Sequence, residues 1–235
     1  MKRTKNIKNA ILAVLLATFV ALPLTGSVTE PTAAQAQTKA VKVNYAPVAA
    51  GVYNLDPAHS LIGFAVEHLE INWVEGRFKD FTGTINYNDQ DVTKSSVEFS
   101  AKIASIDTEV AARDEHLRSG DFFDAAKYLE MTFKSTKIEK AGKDRYVLHG
   151  DLTIKGITRR IEFPFTFTGA IKDPWGGTRF GIQAQTKINR RDYGINYGNA
   201  LAAGGFDVGG EVTINLRLEA VKQEPKTTAA ADSGK

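Results

Sequence analysis

The segment Ile161–Thr168 reads IEFPFTFT. Ile161, Phe163, Phe165 and Phe167 alternate with Glu162, Pro164, Thr166 and Thr168. Successive side chains of a β-strand point to opposite faces, so the pattern predicts one dry face and one wet face. A helix would scatter the same phenylalanines around its circumference.

The neighbouring sequence keeps the same period. Upstream, Tyr146, Leu148, Gly150, Leu152 and Ile154 fall in step, as do Met131, Phe133 and Ser135. Val97, Phe99, Ala101 and Ile103 alternate with Glu98, Ser100 and Lys102. Phe81, Gly83, Ile85 and Tyr87 form another set, and Ile62, Phe64, Val66 and His68 an earlier one. Downstream, Val212, Ile214, Leu216 and Leu218 alternate with Thr213, Asn215, Arg217 and Glu219. Phe180–Ile188 follows the rule less cleanly and is counted as a strand too. The stretches NDQD (Asn88–Asp91), KAGKD (Lys140–Asp144) and DPWGG (Asp173–Gly177) supply the turn chemistry of hairpins.

About eight main strands result, several near ten residues, where an ordinary strand runs roughly 5–6. Long antiparallel strands on short turns predict an all-β, eight-stranded, closed up-and-down barrel. Closure also removes the edges on which sheets aggregate. A two-sheet sandwich is the competing architecture.

The ends of the chain read differently. MKRTKNIKN, the apolar run Ala10–Leu24 and the small residues around Ala34-Gln35-Ala36 have the three parts of a secretory signal peptide, placed at 1–36. Residues 37–50 read as a linker, 51–221 as the folded domain and 222–235 as a tail without apolar periodicity. Export predicts a periplasmic location. Loss of the leader removes four of 30 basic and one of 27 acidic residues, leaving 26 of each. A near-neutral mature domain gives no electrostatic case for nucleic acid. The chain has no cysteine. Thiolate metal sites and cysteine nucleophiles are thereby excluded, and no disulfide supports the fold.

One segment breaks the period. DTEVAARDEHLRSGDFFD (Asp107–Asp124) predicts a short helix after the third main strand, capped by Asp107 or Thr108 and ended near Ser119-Gly120. Val110, Asp114, Leu117 and Asp121 would share its stripe. The cluster RDEHLRSGDFF (Arg113–Phe123) admits a catalytic reading, with His116 as a base, His68 as a partner and a carboxylate to orient it. No G-x-S-x-G accompanies it, and the four histidines (His59, His68, His116 and His149) show no metal-ligand spacing. No catalytic residue and no metal ligand is assigned. The structural reading makes the segment a lid, with Arg113 bonded to Asp107, Asp114 or loop carbonyls and Phe122 and Phe123 plugging the surface beneath. In a further reading Arg113 and His116 also meet a polar ligand head. Elsewhere, NRRDYG (Asn189–Gly194) admits a basic phosphate-binding loop but reads first as a turn that holds Arg190 or Arg191 against acidic neighbours, and Trp175 reads as a turn aromatic folded back on the barrel, with gating of an opening as the alternative.

Several of these blocks together resemble the YceI-like family. They are DPAHSLIGFAVEHL (Asp56–Leu69), EGRFKDFTGTI (Glu75–Ile85), the block from Ser105 to Thr136 with its SIDT and RDEHL runs, HGDLTIKGITRRI (His149–Ile161) and INRRDYGI (Ile188–Ile195). The resemblance covers 51–221 and implies a lipocalin-like barrel in the bacterial periplasm. It implies a long isoprenoid lipid, a quinone or polyprenyl chain, inside the barrel, with no cofactor required and no assigned catalysis. It is compatible with passing membrane contact and with a homodimer. The positions expected to line the interior are Phe64, Val66, Phe81, Phe99, Ile103, Phe122, Phe133, Leu152, Ile154, Phe163, Phe165, Phe167, Phe180, Ile182, Ile214 and Leu216. His68, Arg113 and His116 are expected at the head group or lid. The competing functions are an enzyme built on His116 and His68, and a protein-interaction module whose barrel is filled by its own side chains.

Overall fold

A computed structural model describes residues 45 and 47–223. The segment read as a leader, most of the linker and the tail beyond 223 lie outside the described residues. Strands β1 (Gly51–Leu55) and β2 (Leu61–His68) are two halves of one stave. Both pair with β11 (Val208–Lys222), in register Leu55↔Ala220 and Leu61↔Arg217. Pro57 stands in the interruption, where its missing N–H removes a ladder bond. β3 (Asn72–Phe78) and β4 (Phe81–Tyr87) make the second stave, and β5 (Ser96–Lys102) and β6 (Ile106–Asp107) the third. These two breaks face each other and are stitched by Lys79 N–H to Ser105 C=O at 3.2 Å and Lys102 N–H to Asp80 C=O at 2.9 Å. β7 (Glu130–Gly142), β8 (Arg145–Ile154), β9 (Ile157–Lys172) and β10 (Thr178–Asn189) are continuous.

The eleven strand segments thus form eight antiparallel staves in chain order. β11 closes the ring by pairing with β10 on one side and with β1 and β2 on the other. The predicted up-and-down barrel is the architecture found. Alternation carries through to packing. Along β9, Phe163 and Phe165 are buried while Glu162 and Pro164 are exposed. Gly150 on β8 belongs to the inward set, because a Cβ there would lie 2.2 Å from the Phe133 ring. β11 extends through Lys222, one residue into the segment read as tail.

Helix α1 (Ala111–Arg118) follows the third stave, as expected, and ends at Ser119. Its start differs from the sequence reading. Val110 occupies the N-cap position without a side-chain bond, and neither Asp107 nor Thr108 caps the helix. Glu109 takes a left-handed φ of 65°, which delays the helix by a turn. The expected stripe does not form a buried face either. Asp114 is buried, while Val110 and Asp121 are exposed.

At the opposite, hairpin end, Arg179 ties three segments together. It reaches Asp173 at 2.6 Å, Asp56 at 2.7 Å and Glu219 at 2.6 Å. Trp175 projects from that hairpin at 84% exposure instead of folding back, with the Arg179 guanidinium 5.9 Å from its ring centre. The hydrogen bond from His59, and then Arg179, hold the Asp56 carboxyl down at about 2. A depressed carboxyl contributes stability that is fully present above its unfolded value of roughly 3.9 and is lost as pH falls through the folded one. Arg179→Met should therefore lower the urea midpoint at pH 7 and change it little at about pH 2. An equal loss at both pH values would show that Arg179 acts by packing alone.

Candidate functional site: the barrel interior

The inward faces of the staves enclose a cavity of about 380 Å³, within the roughly 300–1,000 Å³ of small-ligand sites. Its wall is hydrocarbon for most of its length. Phe64 and Val66 come from β2, Phe99 from β5, and Phe133 from β7. Leu152 and Ile154 come from β8, and Phe163, Phe165 and Phe167 from β9. Phe180 and Ile182 come from β10, and Ile214 and Leu216 from β11. Phe122, after α1, also reaches the cavity. Many of these inward side chains are only half-buried, Phe64, Phe99, Phe167, Ile182, Ile214 and Leu216 among them. Their remaining exposure faces the interior, so the barrel is not filled by its own side chains.

Two expected lining residues lie elsewhere. Phe81 and Ile103 are buried at 4% and 0% but do not border the cavity. Each stands at a break between strand segments and packs into the buried core, Phe81 with its ring centre 6.1 Å from that of Phe99. The sequence reading also passed over lining residues. Tyr87 and Leu148 stand in the alternation but outside the expected lining set, as do Val74 and Ala184 and, from the β10–β11 connection, Arg190, Tyr193, Ile195 and Tyr197. A loop carries no period by which to find the last four.

His68, Arg113 and His116 all border the cavity, at the helix end. Of the lining residues only His68 and Tyr197 are exposed, so this end is the mouth. The RDEHLRSGDFF cluster is built as a lid around Thr108. The buried Asp114 carboxylate accepts from Thr108 N–H at 2.8 Å and from its hydroxyl at 2.6 Å. Arg113 donates from Nε to the Thr108 hydroxyl and from a terminal nitrogen to the Thr108 carbonyl, both at 2.7 Å. Asp107 instead pairs with Arg77 at 3.4 Å and Lys79 at 3.3 Å. His116 Nε2 lies 2.9 Å from Asp121, with its ring edge-on to Phe122 at 5.1 Å and Tyr197 at 4.8 Å. These bonds fix the lid and leave hydrocarbon below it.

Among the described residues, Asp56, His59 and Glu219 bring ligand-type atoms within 4.8 Å of one another. Arg179 already pairs with Asp56 and Glu219 there, so this cluster is an ion-pair node of the hairpin end.

The model of the YceI-like domain matches residues 53–220. A UPF0312 protein of Photorhabdus laumondii is 41% identical over 156 residues, which cover 66% of this chain and 81% of the relative. Protein YceI of Escherichia coli is 36% identical over 166 residues, covering 71% and 83%. Among solved structures, the Campylobacter jejuni YCEI protein superposes with a TM-score of 0.58 at 32% identity, covering 72% of this chain and 97% of that one. A polyisoprenoid binding domain from Saccharophagus degradans, implicated in plant cell wall breakdown, has the same fold at 17% identity. Its TM-score is 0.56, with 73% and 98% covered.

Proposed function

The chain belongs to the YceI-like family, and from that premise we propose that it is a binding protein for a long isoprenoid lipid. The observation that carries the reading is the apolar cavity running through a closed barrel. Each buried CH₂ contributes roughly 0.8 kcal/mol, so one five-carbon unit contributes on the order of 3–4 kcal/mol before entropy costs. A few units give tight binding with no hydrogen bond. The quinone or polyprenyl chain lies along the barrel, and its polar head stays at the mouth with His68, Arg113 and His116. Solvation of hydrocarbon, not reactive chemistry, is the activity proposed.

The leader at 1–36 supports export, and the protein is proposed to carry or sequester its lipid in the periplasm. Leu69, Ile71 and Trp73 are exposed on the hairpin beside His68, Ile71 at 82%. They support a passing contact between mouth and bilayer during loading.

Protein purified from the periplasm should release an isoprenoid on lipid extraction, and its native mass should exceed that of the delipidated chain. Repeated recovery of lipid-free protein that takes up neither quinone nor polyprenol would end the proposal. His116→Ala should fold and change the affinity for a headless chain by less than about threefold, because surface burial supplies that affinity. Its imidazole is occupied by Asp121 and two aromatic rings. A folded His116→Ala protein that no longer takes up hydrocarbon would contradict this account.

A further inference from the structure

The connection between β10 and β11 contains an uncharged run. Asn196–Phe206 reads NYGNALAAGGF, without a charge in a chain whose residues are 24% charged. All of these residues are exposed except Gly198 and Leu201, which are half-buried. Exposed loops ordinarily turn charged side chains to water; this one turns alanine, tyrosine and phenylalanine there. It is nevertheless ordered, as a small hairpin of its own. Ala200 bridges Phe206, Leu201 N–H donates to Gly205 C=O and Gly204 N–H to Leu201 C=O, both at 3.0 Å. At its base Asn199 N–H donates to the Asp207 carboxylate at 2.7 Å, and Asp207 N–H to Asn199 C=O at 3.0 Å. Backbone groups met within the loop lower the cost of taking it out of water.

The tip of the β2–β3 hairpin is bolted to this loop. Leu69 N–H donates to Asp207 C=O at 2.9 Å, and Phe206 N–H to the Glu70 carboxylate at 2.9 Å. Leu69 and Glu70 both take left-handed φ, 55° and 58°, without being glycine. Such backbone persists where surrounding bonds fix it. The joined tips expose Leu69, Ile71 and Trp73 on one side and Tyr197 and Phe206 on the other. The carboxylate at the hairpin tip, Glu70, is engaged by the Phe206 bond. Charge resumes at the rim, with Glu67 on β2 and Glu75 on β3. The NRRDYG turn keeps Arg190 buried on the carbonyls of Gly209, Ile195 and Val208, at 2.7–2.9 Å, and not against the expected acidic neighbours. It sets the Arg191 guanidinium 4.3 Å from the ring centre of Phe206. His68 precedes one tip and Tyr197 belongs to the other, and both border the cavity. The apolar pad therefore begins at the mouth.

We propose that this pad docks on a lipid bilayer, and that the bound chain passes between barrel and bilayer by collision, without crossing water. The proposal rests on the lipid-binding reading and adds the docking surface and the route of exchange. Exposed apolar tips rimmed by polar residues mark membrane or partner sites. A protein seated on the pad would seal the entrance that the pad borders, whereas a bilayer brings hydrocarbon to it. The lid carries exposed Glu109 and Glu115, so the pad enters the surface while the lid stays in water. Charges of both signs at the rim give anionic lipid no advantage, and burial of the tips carries the binding.

The test uses phosphatidylcholine vesicles and radiolabelled geranylgeraniol. Delipidated protein should sediment with the vesicles as well in about 1 M as in about 0.1 M NaCl, since screening leaves apolar burial in place. Once loaded, it should deliver geranylgeraniol to them at a rate proportional to vesicle concentration, whereas release through water would give a rate independent of it. Ile71→Asp and Phe206→Asp should each cut vesicle binding and transfer rate at least ~10-fold. Their geranylgeraniol affinity should match wild type, because neither side chain borders the cavity. Ala203→Asp places a charge on an exposed alanine, so it should keep the wild-type melting temperature and still lose at least ~5-fold. Binding confined to anionic vesicles and lost in high salt, or tip variants that transfer as fast as wild type, overturns the docking pad. So does a concentration-dependent dimer that Ile71→Asp splits, with no vesicle binding. Uptake of geranylgeraniol without vesicle binding overturns the pad and leaves the lipid-binding reading standing. Vesicle binding without uptake overturns that reading, and the collisional transfer with it.

Discussion

Phe180→Asp is expected to unfold most of the protein at neutral pH. Phe180 is 2% exposed, with ring centres of Tyr53 at 4.6 Å, Phe167 at 5.7 Å and Tyr87 at 5.8 Å. Its strand neighbours in register are Ala170 and Ala220, both buried, so a large ring fills the space between two small residues. Losing a buried phenylalanine costs about 3–5 kcal/mol. An unpaired buried carboxylate adds several more, or takes up a proton to avoid them. The sum rivals the roughly 5–15 kcal/mol that holds a domain together. The sign with pH follows. A carboxyl raised in the fold penalises stability increasingly as pH climbs above its unfolded value of roughly 3.9. Urea melts at pH 4 and pH 7 should show a larger deficit relative to wild type at pH 7. A variant within about 1 kcal/mol of wild type at both would mean that this ring is not part of a packed core.

Ala184→Trp should abolish lipid uptake in a barrel that still folds. Ala184 borders the cavity from β10 and faces Leu216 and Phe165 in register, both of them lining residues. It is half-buried, and its remaining exposure is to the cavity. An indole there occupies existing space instead of forcing packed atoms apart, which is the difference between filling and overpacking. Uptake of a twenty-carbon isoprenoid should fall more than ~100-fold, because several buried CH₂ groups lose their place. Gln185→Trp is the control, since Gln185 is exposed on the outer face of the same strand. Unimpaired uptake by Ala184→Trp would place the lipid outside the barrel.

The staves were legible where polar and apolar residues truly alternate, as along β9 and β11. They were obscured where both faces carry apolar residues. In β1, the exposed Val52 sits next to the buried Tyr53, and in β3 the exposed Trp73 precedes the inward Val74, so the period vanishes. The helix was legible from its composition, but not its start, which depends on the left-handed backbone of Glu109. Breaks within the staves explain why Phe81 and Ile103 satisfy the alternation and still miss the cavity. The place of Arg190 and Tyr193 in the cavity wall was hidden for a different reason. A turn has no repeat to extrapolate.

Closure of the ring has a practical corollary. Tyr53 pairs with Lys222, and Gln223 N–H bonds to Val52 C=O at 2.8 Å, so the described chain enters and leaves the barrel side by side at the hairpin end. A tether fused directly at either end of the described barrel, before Gly51 or after Gln223, should hold it with His68 and Tyr197 pointing away from the support. Those two barrel ends can equally be spliced through a short linker and new ones cut in a hairpin, giving circular permutants that keep the same interior.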